Sequence, residues 1–245
     1  MNAAPLALAD VHKSFGPKAV LRGLTSEIPG GEIFAIVGPS GAGKTTTLRL
    51  LDLLEVPDGG EVRIHGKRFA IGSPEALEQR RRMAMVMQNP IVFRATAFEN
   101  VAYGLWLRGV AEPEIRGRAY SYLDFVGLLD MAREPATALS GGEQQRIAFA
   151  RAAVLQPEIL LLDEFTANLD PTNVRILEEA ILRYRKETGC TIVIVTHNLF
   201  QARRLADRVA LLLDGRFVEV APAPSFFEEP GRPETRAFLS GEMAY

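Results

Sequence analysis

One eight-residue stretch restricts this chain more than any other: Gly38-Pro39-Ser40-Gly41-Ala42-Gly43-Lys44-Thr45, with EIFAIV before it and TTLRLLDLLEV after it. The preceding run is apolar throughout, as a strand covered on both faces must be, and the leucines that follow recur at helical spacing. A strand, a glycine turn and a helix in this order imply an α/β fold whose mainly parallel sheet presents ligands at the carboxyl ends of its strands. The glycines let successive backbone N–H groups curl inward around phosphate oxygens. Lys44 adds positive charge there, Thr45 offers a hydroxyl to Mg²⁺, and Thr46 follows as a further residue of the phosphate site. The pattern implies binding of a nucleoside triphosphate.

Two further strands end in chemistry. ILLLDE delivers Asp163 and Glu164 at a carboxyl end, with Asp163 the candidate for holding Mg²⁺ and Glu164 the candidate general base for an attacking water. TIVIVT runs into His197, whose imidazole can reach a terminal phosphate and keep water and base in register. Gln88, at the end of the candidate strand MAMVMQ, is a plausible sensor of the γ-phosphate and of the metal. Phe15, in the early strand region, can stack on a base. His12 and His65 read as surface or structural, and Cys190, at the start of an apolar strand, as a buried, inert thiol.

The first 30 residues read as short strands with a turn at Gly16-Pro17. After the leucine-rich helix, expected to run until Pro57-Asp58-Gly59-Gly60 stops it, EVRIHGKRF reads as a returning antiparallel strand. Residues 89–155 change character to helical segments broken by Gly109, Pro113, Gly127 and Pro135. Strands return at EILLLDE, TIVIVTH and RVALLLDGRFVEV, the first two separated by a helix. The expected architecture is a nucleotide-binding core with an N-terminal antiparallel β subdomain (1–88 and 156–220), an inserted α-helical subdomain (89–155) and a C-terminal tail (221–245). With 47% hydrophobic residues in 245, the chain can bury such a core, and a net charge of −2 gives no electrostatic reason for a nucleic-acid partner. No signal sequence and no apolar run long enough to cross a bilayer is read, and one cysteine excludes an intrachain disulfide.

The stretch ALSGGEQQRIAFARA adds a puzzle. A serine, two glycines and a polar run opening a helix make a second anion cradle, one without a lysine. GPSGAGKT, Gln88, LSGGEQQR, ILLLDE, the triplet NLD and His197, in this order and spacing, resemble the nucleotide-binding subunit of an ABC transporter along essentially the whole chain. LSGGEQQR (139–146) is the most specific of these motifs. The resemblance implies a head-to-tail dimer of two copies in which Ser140, Gly141, Gly142 and Glu143 of one face the γ-phosphate held by Lys44 of the other. Asp170 would lie at the dimer interface. ATP would then act as glue that hydrolysis releases.

The same resemblance implies integral membrane permease subunits as partners, a solute-binding protein indirectly, and a place at the cytoplasmic face of the plasma membrane. Residues 89–107 are the expected coupling surface, because Ile91, Val92, Phe93, Phe98, Val101, Tyr103, Leu105 and Trp106 are more than the buried face of one helix needs. FRATAFENVAYGLWLRGV and the ending FLSGEMAY look most like tungstate importer ATPases, with phosphate, molybdate and polar amino acid importers as alternatives. The absence of a large C-terminal regulatory domain argues against the subtypes that carry one. A soluble ABC ATPase of repair or translation would be expected to carry two cassettes or basic arms, and a switch without turnover would not need Glu164 and His197. Four departures stand out: Phe165 where the family commonly has proline, Ala167 where serine is usual, Phe15 where tyrosine is more frequent at the adenine-stacking position, and Glu143 where glutamine is common.

Overall fold

The computed structural model describes residues 4–242. A three-stranded antiparallel sheet is built from β1 (Leu6–Phe15), β2 (Lys18–Ile28) and β4 (Gly59–Ile64), in the order β2-β1-β4. A six-stranded sheet contains β3 (Ile33–Val37), β5 (Met83–Val86), β6 (Ile159–Asp163), β7 (Thr191–Thr196), β8 (Arg208–Leu213) and β9 (Arg216–Pro222). Its order is β5-β6-β7-β3-β8-β9, parallel except for the β8–β9 hairpin.

The continuous apolar strands follow from burial on both faces. In β6, Leu160 and Leu162 face one core while Ile159 and Leu161 face another; in β7, Ile192 and Ile194 are set against Val193 and Val195 in the same way. The first core lies under α3 (Ala97–Leu107), α4 (Glu112–Phe125), α5 (Gly141–Ala153) and α6 (Pro171–Thr188). The second joins the antiparallel sheet and α1 (Lys44–Leu51) to the central sheet. Each fully buried Leu, Ile or Val removes apolar surface worth about 1.5–3 kcal/mol from water, so the central sheet is the most strongly held part of the chain. No regular strand occurs in residues 89–155, as the sequence implies.

The structure corrects one expectation and adds two features that the sequence reading left out. The helix after the phosphate loop ends at Leu51, well before Pro57: Leu53 turns left-handed at φ 54°, and Leu54 N–H donates across the end to Arg49 O at 2.8 Å. Burial of Leu53 against the second core holds it in a conformation that glycine usually occupies. A helix absent from the sequence reading, α2 (Pro74–Arg81), starts at an N-cap Ser73 that accepts from Ala76 N–H. The tail is structural. After α7 (Leu199–Leu205), its helices α8 (Ala223–Glu228) and α9 (Pro233–Ser240) bring Phe226 and Phe238 against Ala35, Val37, Val209 and Leu211. The last three residues of FLSGEMAY lie outside the described residues.

Asp52, buried at the C-terminal end of α1, carries a stability consequence. Burial pushes its carboxyl up to about 6, only partly offset by Arg80. The folded state therefore holds this proton more tightly than the unfolded chain does. The stability it contributes is complete below about pH 4 and is lost as pH rises through 6, at most about 3 kcal/mol. Thermal melts of Asp52→Asn should show stabilisation at about pH 8 and none at about pH 4; equal shifts at both would contradict this account.

Candidate active site

The strand order does the assembling. β5, β6, β7 and β3 lie side by side and parallel, with Val86 beside Leu162, Asp163 beside Val195, and Val37 beside Thr196. Their carboxyl ends therefore present, along one edge, Gln88, Asp163 with Glu164, His197, and the loop 38–43. A pocket of about 420 Å³ opens there, lined by Phe15, Val20, Ser40, Gly41, Gly43, Lys44, Thr45, Thr46, Gln88 and Glu164. Phe15 is 45% exposed at the end of β1, and the Lys13 ammonium lies 5.1 Å from its ring centroid. A platform for a flat ring thus faces a loop for phosphates.

Gly38, Pro39 and Ala42 shape the loop without lining the pocket. Gly38 has φ 155°, and a Cβ there would lie 2.2 Å from Leu212 O, so only glycine lets the loop leave β3 this close to β8. Lys44 is buried and donates to Gly38 O at 2.9 Å and Pro39 O at 2.8 Å. Burial lowers its proton affinity, while Glu164 and Asp163 raise it. Asp163 shows the converse: burial raises its carboxyl, opposed by the hydroxyl of Thr45, which donates to Oδ1 at 3.1 Å. A hydroxyl, a carboxylate and the nearby amide of Gln88 are hard oxygen donors, few in number. That set fits Mg²⁺, which is commonly completed by water and substrate phosphates.

Glu164 sits between the loop and β7. Its Oε1 is 3.8 Å from Lys44 Nζ, its Oε2 is 3.2 Å from His197 Nδ1, and its N–H donates to Val195 O at 2.9 Å. Its backbone is left-handed, φ 42°, which costs a non-glycine residue about 1 kcal/mol or more. Phe165 is fully buried in the first core, so this departure from the family pattern serves packing. Ala167 N–H closes a turn on Glu164 O at 2.9 Å, a backbone contact independent of the missing serine hydroxyl.

The signature residues stand apart: none of Ser140, Gly141, Gly142 or Glu143 lines the pocket. Ser140 caps α5, and Glu143 completes a capping box, accepting from the Ser140 hydroxyl at 2.7 Å and its N–H at 2.8 Å. Glu143 thus has a local role at the helix start. Gly142 is fixed by packing, since a Cβ there would lie 2.4 Å from the Asn173 amide. Gly141 is exposed, and a Cβ there would meet nothing within 4 Å. Asp170 caps α6, accepting from the N–H groups of Thr172 and Asn173.

Among the expected coupling residues, Val101 and Leu105 are buried and Val92 and Phe98 partly so, whereas Ile91, Phe93, Tyr103 and Trp106 are exposed. Of these, Ile91 and Phe93 line a groove of about 440 Å³ between β5 and α5. Sequence reasoning missed what shapes this face. Buried Asn100 accepts from Phe93 N–H at 2.8 Å, and Arg151 donates to Ile91 O at 2.7 Å while its guanidinium lies 4.9 Å from the Phe93 ring centroid. Cys190 is buried and its thiol is pushed up to about 12, an inert group as expected.

Residues 21–167 match the protein family described as ABC transporter. The chain is 42% identical over 250 residues to the phosphate import ATP-binding protein PstB 2 of Natronomonas pharaonis, covering 98% of this chain and 88% of that one. It is 40% identical to a probable anion import ATP-binding protein of Haloferax volcanii, with the same coverage, and 37% identical to the methionine import ATP-binding protein MetN 1 of Listeria monocytogenes, covering 98% and 73%. The solved structure of CbiO1 from Clostridium perfringens, described as part of the ABC transporter complex CbiONQ, gives a TM-score of 0.86 at 27% identity over 98% of this chain and 100% of that one.

Proposed function

The chain belongs to the ABC transporter family, as an ATP-binding subunit with importer ATPases among its relatives, and from that premise we propose how its residues hydrolyse ATP and what the hydrolysis drives. Phe15 stacks on the adenine, and the loop N–H groups with Lys44 hold the β- and γ-phosphates. Thr45, Asp163 and Gln88 would hold Mg²⁺, which when bound would neutralise charge on the phosphate oxygens. Glu164 takes the proton of the attacking water. His197, bonded to Glu164 through Nδ1, keeps that carboxylate aimed and has Nε2 free to face the γ-phosphate. The observation that carries this reading is Glu164 itself, held between Lys44 and His197 at the carboxyl edge of the sheet.

The reading is incomplete with one copy, because the helix start at Ser140 and Gly141 is exposed and away from the pocket. Two copies head to tail bring each α5 start to the other's γ-phosphate, with Asp170 at the seam, and ATP favours the closed pair. The exposed aromatic face around Ile91, Phe93, Tyr103 and Trp106 docks the permease subunits at the cytoplasmic face of the membrane. Among the described residues no helix is long and apolar enough to cross a membrane, so attachment through partners is consistent with the chain.

The cargo proposed is an oxyanion delivered by a solute-binding protein, and tungstate is the narrow form of that proposal. The phosphate and anion importer relatives support the class. With the permease reconstituted in proteoliposomes, binding protein loaded with tungstate, molybdate or phosphate should stimulate ATP hydrolysis. Stimulation by a methionine-loaded binding protein alone would overturn the oxyanion assignment.

A further inference from the structure

Helix α7 begins two residues after His197, and one buried carboxylate holds it. Glu178, on α6 and 7% exposed, accepts from Arg204 Nε at 2.8 Å and Nη2 at 2.7 Å, and from Gln201 Nε2 at 3.2 Å. The same Gln201 amide, fully buried, donates to the Thr166 hydroxyl at 2.7 Å. Thr166 lies two residues beyond Glu164, in the turn that Ala167 closes on Glu164 O. At its other end α7 is tied back to the strand: Asn198 accepts from Gln201 N–H at 3.1 Å and donates its own N–H to Thr196 Oγ1 at 3.0 Å. His197 is therefore fixed by α7 on one side and β7 on the other.

We propose that Glu178, Gln201, Arg204 and Thr166 form a positioning clamp that sets the His197–Glu164 contact, by joining the turn after Glu164 to the helix after His197. Stability alone explains the arrangement poorly. The Arg204 side chain is half-exposed, and an ion pair with a solvated partner contributes at most about 1 kcal/mol, while Gln201 Oε1 is buried without accepting any hydrogen bond. What the clamp supplies is a fixed distance between two loops that the central sheet holds only at their roots. A small misplacement of the group orienting a base can cost on the order of a hundredfold in rate.

The proposal rests on Glu164 acting as base, and the test separates the two. Steady-state ATP hydrolysis is measured for Glu178→Gln, Gln201→Met, Thr166→Val, the double variant Thr166→Val with Gln201→Met, and Glu164→Gln, each normalised to ATP-binding-competent protein by equilibrium titration. Glu178→Gln should lower kcat about tenfold or more while KM for ATP stays within about twofold, because none of the clamp residues lines the nucleotide pocket. Thr166→Val and Gln201→Met should each lower kcat, and the double variant should fall no further than the worse single one, since both break one contact. Unchanged kcat per competent molecule in Glu178→Gln, with or without a lower Tm, would overturn the clamp while leaving Glu164 as base. Turnover at the unmutated rate in Glu164→Gln would overturn the base assignment instead.

Discussion

Glu164→Gln is expected to lower kcat by about 10²–10⁴, the usual contribution of a positioned general base, with ATP binding intact. The amide keeps the shape of the carboxylate, so the contacts toward His197 and the packing of Phe165 should survive. It cannot take a proton from water, and it removes a negative charge 3.8 Å from Lys44. Lys44 then acts on phosphate with less local neutralisation, so the ATP-bound state should be longer-lived. Size-exclusion chromatography in ATP and Mg²⁺ should show an accumulated dimer. A dimer turning over at the unmutated rate would show that another group activates the water.

The second large effect is expected at Gly141. A Cβ at this position meets nothing within the chain, and an aspartate in the first turn of a helix is favoured by the helix dipole. Gly141→Asp should therefore fold with an unchanged Tm and bind ATP as one copy just as well. If α5 of a second copy faces the γ-phosphate, the added carboxylate meets like charge. At about 4 Å and the screening typical near a protein surface that repulsion is about 4 kcal/mol, or a loss on the order of 10³ in closure and hydrolysis. Gly142 could not separate the two roles, because the Asn173 amide already fills the space beside it. Weakened ATP binding by the single copy, or hydrolysis at the unmutated rate, would remove the signature helix from the shared site.

The strands of the described residues, with β8 and β9 read as one run, and the stretches that build the candidate site were legible because each depends on residues close together in sequence. A phosphate loop needs its glycines in one stretch, and a strand buried on both faces declares itself as an apolar run. Misreadings arose where local pattern and tertiary burial disagree. The leucines of LDLLEV continue the helical spacing of α1, but Leu53 is more favourably buried in a left-handed turn than in a third helical turn. Helix α2 buries little besides Ala76 and Gln79, so it has no apolar stripe to read, and only Ser73-Pro74 marks it. The clamp at Glu178 was illegible for another reason: Glu178 looks like any acid in the run ILEEAIL until folding brings α7 beside it.

The left-handed backbone at Glu164 has a consequence for how such a protein changes over generations. Glycine or asparagine would occupy that conformation with less strain, so the substitutions that make this turn most comfortable are also ones that would remove the proposed base. Selection for robustness alone would drift this position toward an inert cassette that still folds and still binds nucleotide. An acid at this position therefore carries a backbone cost that its proposed work as the base would explain.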